Sequence, residues 1–329
     1  MEIPRDSETA CFPSGEADRP LRLLPATIDA MHTILSPSVR TGLSAAESAH
    51  WHQHGWVAVP DFFDADEIAI LRDEVTRLQS IGRLRNVATE GDGVTHSTRV
   101  MNLQLCPIGP HSRPIRALGY AGKVASAICS LLGPTACQAQ DQVFLKPARH
   151  GAGTNWHTDN AYFKSDIVAA GTGMWIAIHD ASRANGTMKI IPGSNRREFA
   201  HERDPGSDHH ITCAKVIDDR EAFHVEMPAG GVLFFNFGIA HATGGNRTDS
   251  DRAGLALHYV REHAMVDSPH HFLNGKHHAS RRVVTGGDGG AAIFGEDLRG
   301  VWEALISSPA TATATNATNA YANATTASG

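Results

Sequence analysis

The pattern of the chain changes at residue 136, and this change restricts the possible folds more than any other feature. Before it, apolar residues recur at helical spacing; after it, short apolar or alternating segments follow one another with turn residues between them. Clusters of Gly, Pro and Asn, such as 192–195 and 228–231, separate these segments. The predicted strands are 136–146, 155–159, 173–179, 187–191, 222–227, 231–236 and 253–260.

Helix signals precede these strands. Two capping boxes, Ser44-Ala45-Ala46-Glu47 and Asp64-Ala65-Asp66-Glu67, predict helices over 45–54 and 64–82, and a third helical pattern covers 114–132. Helices followed by many short strands indicate an α+β fold. We predict a double-stranded β-helix (jelly roll, cupin-like) core with helices packed on one side.

Composition divides the chain into three parts. Residues 1–40 are rich in Pro, Ser, Asp and Arg without a sustained period, which predicts a loosely ordered N-terminal arm. Residues 41–306 hold the helix and strand signals and predict the jelly-roll domain. Residues 307–329 are mostly Ala, Thr and Asn, which predicts a low-complexity disordered tail.

Charge, cysteine content and hydropathy exclude several classes of function. The formal net charge of -6 argues against a nucleic-acid or membrane-surface partner. The five cysteines are odd in number and form no C-x-x-C pair, so neither a disulfide scaffold nor a structural zinc site is expected. The first residues lack a signal-peptide pattern, and no run of 18 apolar residues occurs. We therefore predict a cytoplasmic protein that binds neither nucleic acid nor membrane.

A candidate metal site begins with His157 and Asp159. Residues two apart on a strand face the same side, so this pair supplies an imidazole and a carboxylate together. His241, in a glycine-rich turn after an apolar strand, completes a 2-His-1-carboxylate set. The competing interpretation of the pair is a strand edge with two solvated polar residues. Three rival ligands, which we interpret as structural histidines, are His179, His224 and His258.

Arg252 is a candidate anion-binding residue. It opens a predicted strand on which 252, 254, 256 and 258 share a face, and Gly254 and Ala256 leave room beside a guanidinium. An inward-facing arginine needs an anion, and its planar fork fits a carboxylate. Thr243 can add a hydroxyl to the same anion. The competing interpretation is an exposed arginine that pairs with Asp249 or Asp251.

Two further patterns leave alternatives open. Gln138, Gln140 and Gln142 alternate on one face of a predicted strand, which indicates either solvent or a polar cavity. Trp175 points opposite to its neighbours Met174 and Ile176, so it either walls a cavity or fills the core.

Together these residues resemble the phytanoyl-CoA dioxygenase family of non-haem iron enzymes. The similarity lies in His157-Thr158-Asp159, His241 and Arg252, with the segments 190–194 and 228–235 between them, and runs from about Trp51 to about Val260. The family's His-Gly-Ser segment corresponds to His241-Ala242-Thr243. Ala242 departs from the usual Gly, whereas Thr243 keeps the hydroxyl.

The resemblance implies an Fe(II)- and 2-oxoglutarate-dependent dioxygenase that uses O2. It assigns the metal to His157, Asp159 and His241. The distal carboxylate of 2-oxoglutarate is assigned to Arg252 with Thr243. Further positions that the resemblance places near the cosubstrate are Gln140 and Trp175, with Arg99 or Asn102 approaching the same anion.

The expected reaction oxidises a C–H bond of a small organic molecule, with release of succinate and CO2. Related halogenases have a small residue at the position of Asp159, so the retained carboxylate favours oxygenation. Alternatives are a metal-dependent isomerase or a 2-oxoglutarate-independent oxygenase on the same barrel, or a non-catalytic ligand-binding barrel. The sequence predicts neither the substrate nor the oligomeric state.

Overall fold

The fold is described from a computed structural model. It covers residues 40–90, 95–165, 167–202, 212–213, 217–261, 264, 282–285 and 287–307. The arm predicted over 1–40 and the tail predicted over 307–329 lie outside the described residues, apart from Arg40 and Ser307. Within the described part of the chain, no helix combines the length and hydrophobicity that a membrane span requires.

Most of the described strands lie from residue 136 onward, as the pattern predicts. In chain order the strands are β1 Trp56–Val59, β2 Arg85–Asn86, β3 Leu103–Leu105, β4 Ala136–Lys146, β5 Thr154–His157, β6 Gly171–Ala177, β7 Met188–Ile190, β8 His201–Glu202, β9 Thr212–Cys213, β10 Phe223–His224, β11 Val232–Asn236, β12 His241–Thr243, β13 Arg252–Arg261 and β14 Arg282–Val283.

The strands form two main antiparallel sheets. The larger sheet has the order β1-β11-β6-β13-β4-β3-β2, with β14 also paired to β4. The smaller sheet has the order β10-β7-β12-β5, and β8 and β9 form a separate pair. Neighbours in space are mostly not neighbours in sequence, so the chain crosses repeatedly between the sheets.

The described residues form seven α-helices, two of which begin at the predicted capping signals. They are α1 Ala45–His54, α2 Ala65–Ser80, α3 Arg113–Leu118, α4 Gly122–Leu132, α5 Asn160–Phe163, α6 Ala291–Phe294 and α7 Leu298–Ser307. Both predicted capping boxes are formed, at Ser44 with Glu47 and at Asp64 with Glu67.

The helix predicted over 114–132 is two helices. The break falls at Gly119, whose carbonyl accepts a hydrogen bond from the Tyr259 hydroxyl at 3.3 Å. A Cβ at this position would collide with the Gln138 side chain, so the close approach of β4 requires glycine here.

The larger sheet separates two apolar layers. Met174 and Ile176 of β6 belong to the core shared with α2, α3, α4 and α7. Trp175, between them, belongs to a second cluster with residues of the smaller sheet such as Met188 and Ile190. Helices therefore cover one face of the larger sheet, and the other face lies against the smaller sheet.

A β-bulge changes the predicted row of glutamines. The pairing of β4 with β13 shifts between His258 and Tyr259, so that Gln140 lies opposite His258 and Gln138 opposite Tyr259. Gln138 then donates to Asp141 at 3.2 Å, on the side away from the cavity. The prediction of three amides on one face was wrong for Gln138, because the extra residue in β4 reverses the alternation.

Candidate functional site

Two adjacent strands of the smaller sheet bring His157 and His241 together. The two residues are direct cross-strand partners, and their ring centroids are 4.2 Å apart. The Nδ1 of His157 lies 2.8 Å from the Asn155 carbonyl, and the Nδ1 of His241 lies 2.9 Å from the Ile239 carbonyl. Each carbonyl fixes its ring and leaves Nε2 as the nitrogen for a metal.

Asp159 reaches the same point by a different route from the one predicted. The strand ends at His157, and Asp159 has helical backbone angles (φ -61, ψ -28) where α5 begins. A tight turn therefore carries the carboxylate back beside the imidazoles. One ligand atom from each of His157, Asp159 and His241 lies within 4.8 Å of the others.

Three imidazoles surround the buried carboxylate of Asp159. Oδ1 lies 3.6 Å from Nε2 of His241, and Oδ2 lies 3.3 Å from Nε2 of His258. Burial opposes ionisation of Asp159, but the neighbouring His258, His241 and His157 outweigh it and hold its pKa well below the usual range. The carboxylate is therefore negative over the physiological pH range.

The triad opens into a cavity of about 370 Å³ between the two sheets. Alternating residues of three adjacent strands form much of its floor. They are Gln104 of β3 and Cys106 just after it, Gln140, Gln142, Phe144 and Lys146 of β4, and Arg252, Ala256 and His258 of β13.

Arg252 is buried in this cavity, with 1% of its surface exposed. It donates to the carbonyls of Gly186 and Asn185 and lies 5.8 Å from the Trp175 ring, and no carboxylate pairs with it in the described part of the chain. Burial lowers its pKa to about 10. The competing interpretation, a pair with Asp249 or Asp251, does not hold, because Asp249 pairs with Arg149 and Asp251 accepts from the Ala148 amide.

The other residues predicted to line the cosubstrate pocket lie in the same cavity. Thr243 contacts Thr154 through their hydroxyls at 2.8 Å, and Trp175 and Gln140 are both among the lining residues. Trp175 fits because Gly254 has no side chain: a Cβ there would lie 2.5 Å from the indole Nε1. The space left by Gly254 is therefore occupied by the indole of Trp175, which lies beside Arg252.

Of the two positions left open, Asn102 lies in the cavity and Arg99 does not. Asn102 is buried, and its Oδ1 has no hydrogen-bond partner among the described residues. Arg99 pairs with Glu90 at 2.8 Å and is largely exposed.

His258 is a site residue that the sequence interpretation did not select. Of the three rival histidines, His179 accepts the Ala253 amide at 3.1 Å and His224 is at the edge strand β10, and neither lines the cavity. His258 lines it and faces Asp159. Its position on the same strand face as Arg252 was the available signal.

The donor set and the cavity fit a ferrous ion with a keto acid. Two imidazoles and one carboxylate on one side leave the opposite side open for other ligands. A buried guanidinium without a carboxylate and a buried amide oxygen without a donor both require a polar partner inside the cavity.

Comparison with known proteins gives concordant results. Residues 51–254 match the family model described as phytanoyl-CoA dioxygenase (PhyH). Ectoine dioxygenase from Halomonas elongata is 25% identical over 246 residues, covering 67% of this chain and 70% of that protein.

Two solved structures share the fold. EctD from S. alaskensis with 2-oxoglutarate and 5-hydroxyectoine has a TM-score of 0.57 at 20% identity, covering 78% of this chain and 90% of that one. The non-heme alpha ketoglutarate dependent carbocyclase SnoK from nogalamycin biosynthesis has a TM-score of 0.56 at 19% identity, covering 69% of this chain and 87% of that one.

Proposed function

The chain belongs to the phytanoyl-CoA dioxygenase family, and from this premise we propose that it oxidises a C–H bond of a small organic molecule. It is an oxidoreductase that depends on Fe(II), 2-oxoglutarate and O2, and it releases succinate and CO2. The proposed scaffold is a double-stranded β-helix with helices packed on the outer face of its larger sheet.

One observation carries the proposal: the three ligand groups and the buried Arg252 face one cavity. His157, Asp159 and His241 offer atoms within 4.8 Å of one another, and Arg252 lines the same space without a carboxylate partner in the described residues. An isomerase or a binding protein that used only the metal would have no need for that cation.

Each residue then has a role. His157, Asp159 and His241 would hold Fe(II), which supplies O2 activation coupled to oxidative decarboxylation of the keto acid. Arg252 binds the distal carboxylate bidentately, and Thr243 donates its hydroxyl to the same group. Trp175 packs beside the guanidinium and keeps water from that end of the cavity. The carboxylate at Asp159 favours oxygenation over halogenation.

Turnover with a metabolite library tests this function. Protein, Fe(II), 2-oxoglutarate and air are incubated with the library, and mass spectrometry follows succinate and products that are heavier by one oxygen atom. We expect succinate to form, and Arg252→Ala to reduce its rate at limiting 2-oxoglutarate by at least about tenfold, because a charge-assisted contact is lost.

The matched control is Arg149→Ala, which removes an exposed arginine whose partner is Asp249. It should leave turnover unchanged. If Arg252→Ala left turnover unchanged and no succinate appeared, the requirement for 2-oxoglutarate would be wrong. Products formed without succinate would indicate a 2-oxoglutarate-independent enzyme.

A further inference from the structure

A row of three glutamine side chains crosses the cavity floor on β3 and β4. Gln140 donates to Gln142 at 2.9 Å, and Gln142 donates to Gln104 at 2.5 Å. Gln140 also donates to the Cys106 sulfur at 3.1 Å. The resemblance places Gln140 near the cosubstrate but assigns no role to Gln142 or Gln104, and β4 separates Gln104 on β3 from Arg252 on β13.

The two ends of the row have opposite hydrogen-bonding character. Gln142 uses both its amide oxygen and its amide nitrogen within the row. At one end, Oε1 of Gln140 has no donor among the described residues; at the other, Nε2 of Gln104 has no acceptor there. Gln140 lies opposite His258 in the sheet, so the accepting end is beside the metal-binding group.

Arg85 adds a positive charge at the donating end. It is the cross-strand partner of Gln104, it is exposed, and it lines the cavity. No acid pairs with it in the described part of the chain, where Asp159 is the one acid that lines the cavity. Burial raises the pKa of the Cys106 thiol to about 12, so this side of the cavity is neutral or positive.

We propose that Gln104, Gln142, Gln140 and Arg85 bind the substrate, and that the substrate is a small carboxylic acid with an N–H or O–H donor. Its carboxylate contacts Arg85 and Nε2 of Gln104, and its donor contacts Oε1 of Gln140, which brings nearby C–H bonds toward the metal. This assignment rests on the proposed function.

Size and charge narrow the class further. The cavity of about 370 Å³ must hold the keto acid and the substrate together, which limits the substrate to a small molecule. Among the described residues that line the cavity, Arg85 is the one exposed lysine or arginine. A single exposed cation suits one carboxylate better than a chain of phosphates. The two contacts lie at opposite ends of a row of three amides, so the donor must be several carbons away from the carboxylate, as in ω-amino acids and ω-hydroxy acids.

Binding under argon tests the substrate class without turnover. The protein is loaded with Fe(II) and saturating 2-oxoglutarate, so that Arg252 is already occupied. Calorimetry then compares a series of ω-amino acids and ω-hydroxy acids with their primary carboxamides and with analogues that lack the amino or hydroxyl group. For members that bind, we expect the Kd of the acid to be about tenfold lower than the Kd of each analogue.

Three variants locate the contact. Arg85→Gln should remove the preference for the acid over its carboxamide, and Arg85→Lys should retain part of it. Arg83→Gln makes the same charge change at an exposed arginine that does not line the cavity, and should retain the full preference. None of the three should change the Kd of 2-oxoglutarate.

The outcomes separate the two proposals. Three results would overturn the substrate assignment: equal binding of acids and carboxamides, equal effects of the substitutions at Arg85 and Arg83, or no binding of any acid. The proposed function would still stand if the protein bound Fe(II) and 2-oxoglutarate. Failure to bind Fe(II) or 2-oxoglutarate at all would overturn the proposed function and this assignment with it.

Discussion

At the scale of single residues, His258 connects the sheet to the metal-binding carboxylate. The two oxygens of Asp159 contact different histidines: Oδ2 lies 3.3 Å from Nε2 of His258, and Oδ1 lies 3.6 Å from Nε2 of His241. We expect His258→Phe to weaken Fe(II) binding by about tenfold to a hundredfold, because a group that orients a ligand is lost. Competition with a chelator under argon measures the Kd.

Two comparisons distinguish orientation from general damage. His258→Gln keeps an N–H donor and should recover part of the affinity, whereas His224→Phe alters a histidine outside the cavity and should have no effect. Equal weakening in His258→Phe and His258→Gln would mean that packing against Phe163 and Phe237, not the contact with Asp159, is what matters.

The sequence singled out most of the side chains that the structure brings together around Asp159 and Arg252, and the omission of His258 has a physical reason. His157, Asp159, His241, Arg252 and Thr243 were identifiable from local spacing and from the family resemblance. Local spacing does not select His258, because it has no carboxylate two residues away. Its partner Asp159 is distant in sequence, and only the folded sheet brings the two together.

At the scale of secondary-structure elements, Gly254 controls how β13 and β6 meet. A Cβ there would lie 2.5 Å from Nε1 of Trp175, and the indole lies beside Arg252. We expect Gly254→Ala to displace the indole, to destabilise the protein by about 1–3 kcal/mol, and to raise the KM for 2-oxoglutarate. The Kd for Fe(II) should remain that of the wild type, because the metal ligands are on other elements.

Steady-state kinetics with metal binding measured in parallel tests this effect. Gly122→Ala is the control: its Cβ would meet only Glu303 Oε1, at 3.7 Å. A Gly254→Ala protein with an unchanged KM would show that Trp175 does not shape the keto-acid pocket.

The elements were predictable to the extent that their signals are local. Capping boxes located α1 and α2, and apolar runs located β4, β11 and β13. The bulge in β4 has no local signal, because it arises from pairing with β13. The turn at Asp159 likewise takes the place of the end of a predicted strand. It brings the carboxylate beside His157 and His241, and the second of these comes close only in the folded structure.

At the scale of the whole molecule, the residues expected to bind the ligands are divided between the two sheets. His157 and His241 belong to the smaller sheet, whereas Arg252 belongs to the larger one. Iron and 2-oxoglutarate together would therefore connect groups on both sides of the cavity. A ligand that binds only the folded state stabilises it by about 2.7 kcal/mol at a hundred times its Kd.

We expect Fe(II) with 2-oxoglutarate to raise the Tm by about 5 °C in anaerobic calorimetry. Asp159→Ala should abolish the increase, because the metal loses its carboxylate ligand. Arg252→Ala should retain the part caused by metal alone and lose the part added by 2-oxoglutarate. An increase that survives both substitutions would place the stabilising ligands outside this cavity.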